Sequence, residues 1–460
     1  MSFFAAGVAL LSAFLSSYLW RVFIQQLPRS RRQSKTNTVV SALAKVGTQH
    51  EAARQLKKLV ETDGAGEWPP KTDYTSWPSE LRPYHDIYLE MAPLLSTAQV
   101  SLEDSVNQKR RETYRATMRK LLNERVRLPR VEAILAEVEG GNWDHMTRDA
   151  YNGLFGCVAL SRHAYRWATI PVVKIAQEEK FVDLPVELDV PWKFLCRHFG
   201  VSSPGGNVTS NFLCNFDAEG KLIYEINHGM SKTITVSEYH FGHVFVAIER
   251  LAFPIYFEMV KAMIAFESKD RVECLKHVQN IERQMRGPLK VFYDSTVDSR
   301  ISRSVWLSYV QGFQGWAAGE VVDGTYVEYD GLSGNQLLFF QIMDAFLGMD
   351  AYLPEENLLR YIPAAQRELC SSFRHYSFRA NAQKSGYGDI EDVMANIVKQ
   401  MRVFRATHRT RATPYLSASA PERFIMTAGK SILEGHLVQG VKGGVDSLYQ
   451  MLMKRLKDTV

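Results

Sequence analysis

The chain has 460 residues, 46% apolar and 23% charged, with 55 basic and 50 acidic side chains for a net charge of +5. This composition excludes wholesale disorder, and a core of this size needs no disulfide scaffold. The charge is too mild to argue for nucleic acid, and five scattered cysteines without CxxC spacing argue against a cysteine zinc site and for a reducing compartment.

Ser2 to Trp20 carries no charge, and a basic cluster at Arg29, Arg31, Arg32 and Lys35 follows it. About 20 apolar residues cross a bilayer as a helix. A cleaved signal peptide carries its charge before the apolar run, whereas here the charge comes after. The expectation is a membrane anchor over residues 1–28, inserted through 2–20. The positive-inside rule leaves the body facing the cytoplasm, with the endoplasmic reticulum as the candidate membrane. Residues 64–83 are dense in Gly, Pro and Trp and read as an extended surface connection. Residues 84–150 read as helical, with the basic stretch Lys109–Arg130 as a solvated face.

Residues 184–192 (LPVELDVPW) are bounded by prolines and read as a loop. Residues 207–229 are the best strand or hairpin candidates, with a turn at 217–220. Helical periodicity dominates from 237 onward. Pro254 is expected to kink or divide its helix. Gly-rich turns at 312–324, 331–335 and 385–389 interrupt the pattern. His240 and His243, with Glu249 nearby, lack the HExxH pattern and do not define a zinc site.

The last long helix carries the argument. Asp389 is a plausible N-cap, and Ile390, Val393, Met394, Ile397, Val398, Met401 and Phe404 then recur at helical spacing. His408 lies 18 residues after Ile390, about five turns on, and so extends the same stripe. A neutral imidazole on a buried helix face is what an axial haem ligand requires. Spacing by itself is equally met by a core histidine. The chain has no CxxCH, so covalent haem is excluded.

Several segments together resemble the indoleamine 2,3-dioxygenase family. VFRATHRTRATPYL resembles its proximal-histidine helix, and SEYHFGHVFVAIE at 237–249 its distal helix. LPVELDVPW, the LSGNQ loop at 332–336 with FFQIMDAFLG after it, YIPAAQREL at 361–369 and GVKGGV at 440–445 are similar to further family segments, in the family's order. The resemblance covers roughly residues 150–458.

It implies a mainly α fold: a large all-helical domain holding haem b, and a smaller mixed α/β domain capping the distal side. The expected division is 29–180 for the small domain and 181–460 for the large one. The resemblance makes His408 the proximal iron ligand and pairs Asp344 with Arg405 beside it. Ser333 falls on the loop that contacts substrate or a haem propionate. Tyr165, Phe241 and Phe245 fall at substrate-side positions, Phe245 in place of a serine. Ser302 replaces a pocket phenylalanine, and Val445 replaces the threonine of a mobile loop. Leu307 stands where the family has the arginine that clamps the substrate carboxylate, and Arg303 lies one turn earlier.

The implied activity is insertion of O₂ into the 2,3-bond of an indole, with no obligatory catalytic side chain and an electron donor keeping the iron ferrous. Without the arginine, an indole lacking a free carboxylate suits the pocket better than tryptophan. The alternatives are a haem mono-oxygenase or peroxygenase on a related aromatic, and a non-catalytic haem-binding sensor.

Overall fold

The computed structural model describes residues 50–97, 101, 103–169 and 179–416, with short pieces at 41–42, 46, 426–427, 430–431, 453–454 and 456–459. The expected anchor at 2–20 and the 440–445 loop with Val445 lie outside the described residues. Among the described residues no helix is long and apolar enough to cross a membrane.

The fold is mainly helical, as expected, and it packs around two apolar cores. The first gathers Arg82–Thr97, Asp104–Arg125, Leu128–Glu139, Arg148–Trp167 and Val186–Phe199. Its spindle is Arg148–Trp167, buried without interruption from Ala150 to Trp167. Gly156 lets this helix press against the chain at Cys214, whose carbonyl oxygen would lie 2.1 Å from any Cβ placed there. The polar side chains on the spindle bond to the backbone of neighbouring segments. Asn152 donates to the carbonyls of Asp63 and Lys71 at 2.9 Å, and Arg162 donates to Pro204 at 3.0 Å. Burial is tolerable on those terms.

The second core gathers Lys232–Glu267, Arg271–Gln284, Leu338–Phe346, Ala364–His375 and Gly388–Leu416, and Glu51–Glu61 packs into it. The cores therefore do not divide the chain at residue 180. Glu51–Glu61 belongs with the late helices, and Val186–Phe199 belongs with the early ones.

Several local expectations are corrected. Residues 186–192 open a helix rather than form a loop, with Pro185 at its N-cap. Pro191 has no N–H for the carbonyl of Glu187, and the Tyr84 hydroxyl donates to that carbonyl at 2.7 Å instead. Residues 207–229 hold one isolated bridge, Phe216 to Leu222, in place of a hairpin. Asn207 caps a short helical turn, Val208–Asn211, and Asn215 accepts the Tyr224 N–H at 2.8 Å. Asparagine side chains there take the backbone bonds that a ladder would have used. The long helix Lys232–Glu267 runs through Pro254 undivided.

The strands come later. β1 (Ala318–Val322) and β2 (Thr325–Tyr329) form an antiparallel hairpin. Its two-residue turn has φ of 49° at Asp323 and 78° at Gly324, the geometry that a tight hairpin favours. The basic stretch is also not wholly a solvated face. Arg111 and Arg115 turn inward and join Arg166 on Glu179, at 2.6, 2.8 and 2.9 Å.

Candidate functional site

One large cavity opens inside the second core. Its empty volume is about 1420 Å³ with the open mouth included. The long helix presents Phe241, Val244, Phe245 and Ile248 to it, the i, i+3, i+4, i+7 stripe of one helix face. The Gly388–Leu416 helix presents Phe404, Arg405, His408 and Ala412. Leu338–Phe346 adds Phe340, Gln341 and Asp344, and the loop before it adds Ser333, Gly334 and Asn335.

His408 lines the cavity. Its ring lies 5.1 Å from Phe292, edge to face, and 6.0 Å from Phe404, near parallel. No described residue forms a hydrogen bond with either ring nitrogen, and its accessible surface is only partial. Removal from bulk water is the sole cause that lowers its pKa, to about 4, so the imidazole is neutral at physiological pH. A neutral, desolvated imidazole with uncommitted nitrogens has the donor chemistry of an axial metal ligand.

One turn before it, Arg405 donates to Asp344 at 2.6 Å and, with its other arm, to the Thr459 hydroxyl. Asp344 is buried and Arg405 largely so, their side chains 3% and 10% exposed. Burial pulls the Arg405 pKa down to about 10, and the guanidinium stays charged. Ser333 caps a short 3₁₀ turn and accepts the Asn335 N–H at 3.4 Å.

Another wall is aromatic. Phe212 and Phe245 stack at 4.7 Å, and Phe241 meets each edge-on at 5.5 Å. Trp306 closes on Phe241 at 5.9 Å. Phe212, Phe292, Trp306, Phe340 and Tyr352 also line the cavity and were missed by sequence reasoning. Phe212 and Trp306 sit on a helical turn and a π-helical turn that no periodicity announced.

The expected site residues divide as follows. His408, Asp344, Arg405, Ser333, Phe241 and Phe245 are brought together at one cavity. Tyr165 is not, which corrects its expected place beside the substrate. Its hydroxyl accepts from Arg119 at 2.6 Å, and the guanidinium carbons of Arg115 and Arg119 lie 5.1 and 5.2 Å from its ring centre. Leu307 falls on the π-helical turn Trp306–Gln311, whose ends line the cavity. Ser302 is buried off the lining, its N–H donating to the Ser237 hydroxyl at 2.9 Å. Arg303 is exposed, pairs with Asp298 at 3.4 Å and does not line the cavity. Among the described residues no group of three or more His, Cys, Asp or Glu could hold a metal ion, and His243 stacks on Tyr239 at 5.3 Å.

The cavity suits haem on its own chemistry: a neutral histidine that no described residue engages by hydrogen bond, flat aromatic walls and an ion pair behind the histidine helix. These features define a helical protein with a histidine-bearing apolar cavity. The family model described as Indoleamine 2,3-dioxygenase matches residues 145–431, and the chain belongs to that family. That family is one of haem-dependent dioxygenases of tryptophan or related indoles. No curated protein matches the chain.

Proposed function

We propose that this chain holds haem b through His408 and adds O₂ across the 2,3-bond of an indole that lacks a free carboxylate. The observation that carries the reading is His408 itself, without a hydrogen bond to any described residue and facing a cavity that Phe241, Phe245 and Trp306 also line. Bound there, haem supplies the iron that activates oxygen, with an electron donor keeping it ferrous. Phe241 and Phe245 orient the substrate ring and keep water out. The aromatic wall offers no acid or base, and the family's chemistry requires none. Asp344 and Arg405 hold the histidine helix in place, an outer-shell contribution that orients a ligand. Ser333 presents a hydroxyl to substrate or to a propionate.

Charge disfavours a substrate carboxylate here. Among the described lining residues, Arg405 is the sole cationic side chain, and Asp344 and Thr459 occupy it. Leu307 occupies the family's clamp position, and Arg303 is committed to Asp298. A substrate carboxylate would be buried unpaired, at a cost of several kcal/mol. The test compares kcat/KM for tryptophan, its methyl ester and tryptamine on the reduced protein. The account predicts at least about tenfold preference for the two carboxylate-free indoles, the scale of one lost charge-assisted contact. A preference for tryptophan would overturn it. The uncharged segment Ser2–Trp20 and the basic cluster after it support a membrane-tethered body facing the cytoplasm. Loss of membrane-fraction retention on deleting residues 1–25 is the expected result, and unchanged retention contradicts it.

A further inference from the structure

Glu249 follows Ile248 on the long helix but is fully buried and does not line the cavity. Its Oε2 accepts from Trp68 Nε1 and from the Tyr256 hydroxyl, both at 2.7 Å. Its Oε1 accepts the backbone N–H of Phe339 at 2.8 Å. Phe339 is the second residue of the helix Leu338–Phe346, whose N-cap residue Leu337 offers no side-chain cap. The first N–H groups of a helix have no partner within it. Glu249 supplies one from outside, across 90 residues of sequence.

This one carboxylate joins two walls of the cavity. The long helix carries Phe241 and Phe245. The helix capped by Glu249 carries Phe340 and Asp344, and Asp344 holds Arg405 one turn from His408. We propose that Glu249 is a positioning residue that fixes the Asp344–Arg405 wall against the aromatic wall. Its meaning for catalysis rests on the proposed haem function, but the mechanical claim does not.

The physical reason is the acceptor count. The two oxygens of Glu249 accept from three donors, whereas an amide offers one oxygen and two donors of its own. In Glu249→Gln the Phe339 N–H or the Trp68 N–H therefore faces another donor, whichever way the amide turns.

The test is hydrogen exchange on the full chain, parent against Glu249→Gln, read by peptide, together with the reduction potential of bound haem. Peptides covering 337–341 are expected to exchange about tenfold faster in the variant, while those of Arg148–Trp167 stay unchanged. The reduction potential is expected to move away from the parent value. Unchanged exchange at 337–341, or equal acceleration everywhere, would overturn the proposal. If the parent takes up no haem, the proposed function fails, and the exchange pattern still decides the positioning claim. If Glu249→Gln does not fold, Tyr256→Phe removes a single donor. A smaller acceleration confined to the same peptides then supports the claim, and none overturns it.

Discussion

The His408→Ala protein is expected to fold and to show no Soret band after incubation with haem, whereas the parent shows one. The fold survives because the ring makes no hydrogen bond with any described residue and lies beside a cavity. Its truncation forfeits the ring contacts with Phe292 and Phe404, each worth about 1 kcal/mol. The binding loss is complete because the described cavity lining contains no second histidine, cysteine or methionine to replace it. Imidazole added to the variant is expected to restore part of the band by entering the vacated space. A variant that binds haem as the parent does would remove His408 from the role.

The second large effect falls on the ion pair behind that histidine. Asp344→Ala leaves the largely buried Arg405 guanidinium without its paired carboxylate, with Thr459 still in contact and only the more distant charge of Asp458 nearby. Breaking a buried pair by removing one partner costs about 3–5 kcal/mol, much of it the penalty of the orphaned charge. Urea unfolding is the measurement, with the midpoint falling at unchanged slope. The joint change Asp344→Leu with Arg405→Leu is expected to cost less than the single one, because no charge is then left buried. Equal costs would show that the pair contributes packing rather than charge compensation.

The readable parts of this molecule and the unreadable ones differ in kind. The stripe Ile390 to Phe404 and its continuation to His408 follow helical spacing, and the structure places His408 on the cavity by that same spacing. The i, i+3, i+4, i+7 set Phe241, Val244, Phe245 and Ile248 is equally periodic. By contrast, residues 186–192 misled because two prolines suggested a loop. One proline sits at the N-cap, and the carbonyl left over by the other is taken by Tyr84, a residue 103 positions away. Nothing local encodes that compensation. The hairpin at 318–329 did carry a signal, an Asp-Gly pair between β-branched residues, and a reading that treated glycines only as interruptions passed over it.

Tyr165 shows the limit of carrying a role by resemblance. The tyrosine is present, but Arg115 and Arg119 hold it in the first core, away from the cavity. Phe212 and Trp306 show the converse. They complete the aromatic wall from short irregular turns, where neither helical nor strand periodicity operates. The Glu249 network was invisible for a related reason. Its donors come from residues 68, 256 and 339, and only folding places them around one carboxylate.

The most direct measurement of the central claim is the mass of the product formed when reduced, haem-loaded protein turns over a carboxylate-free indole under ¹⁸O₂. The account predicts a ring-opened product that carries both labelled atoms. A product carrying a single labelled atom, or an indole recovered intact while haem stays bound, would contradict it.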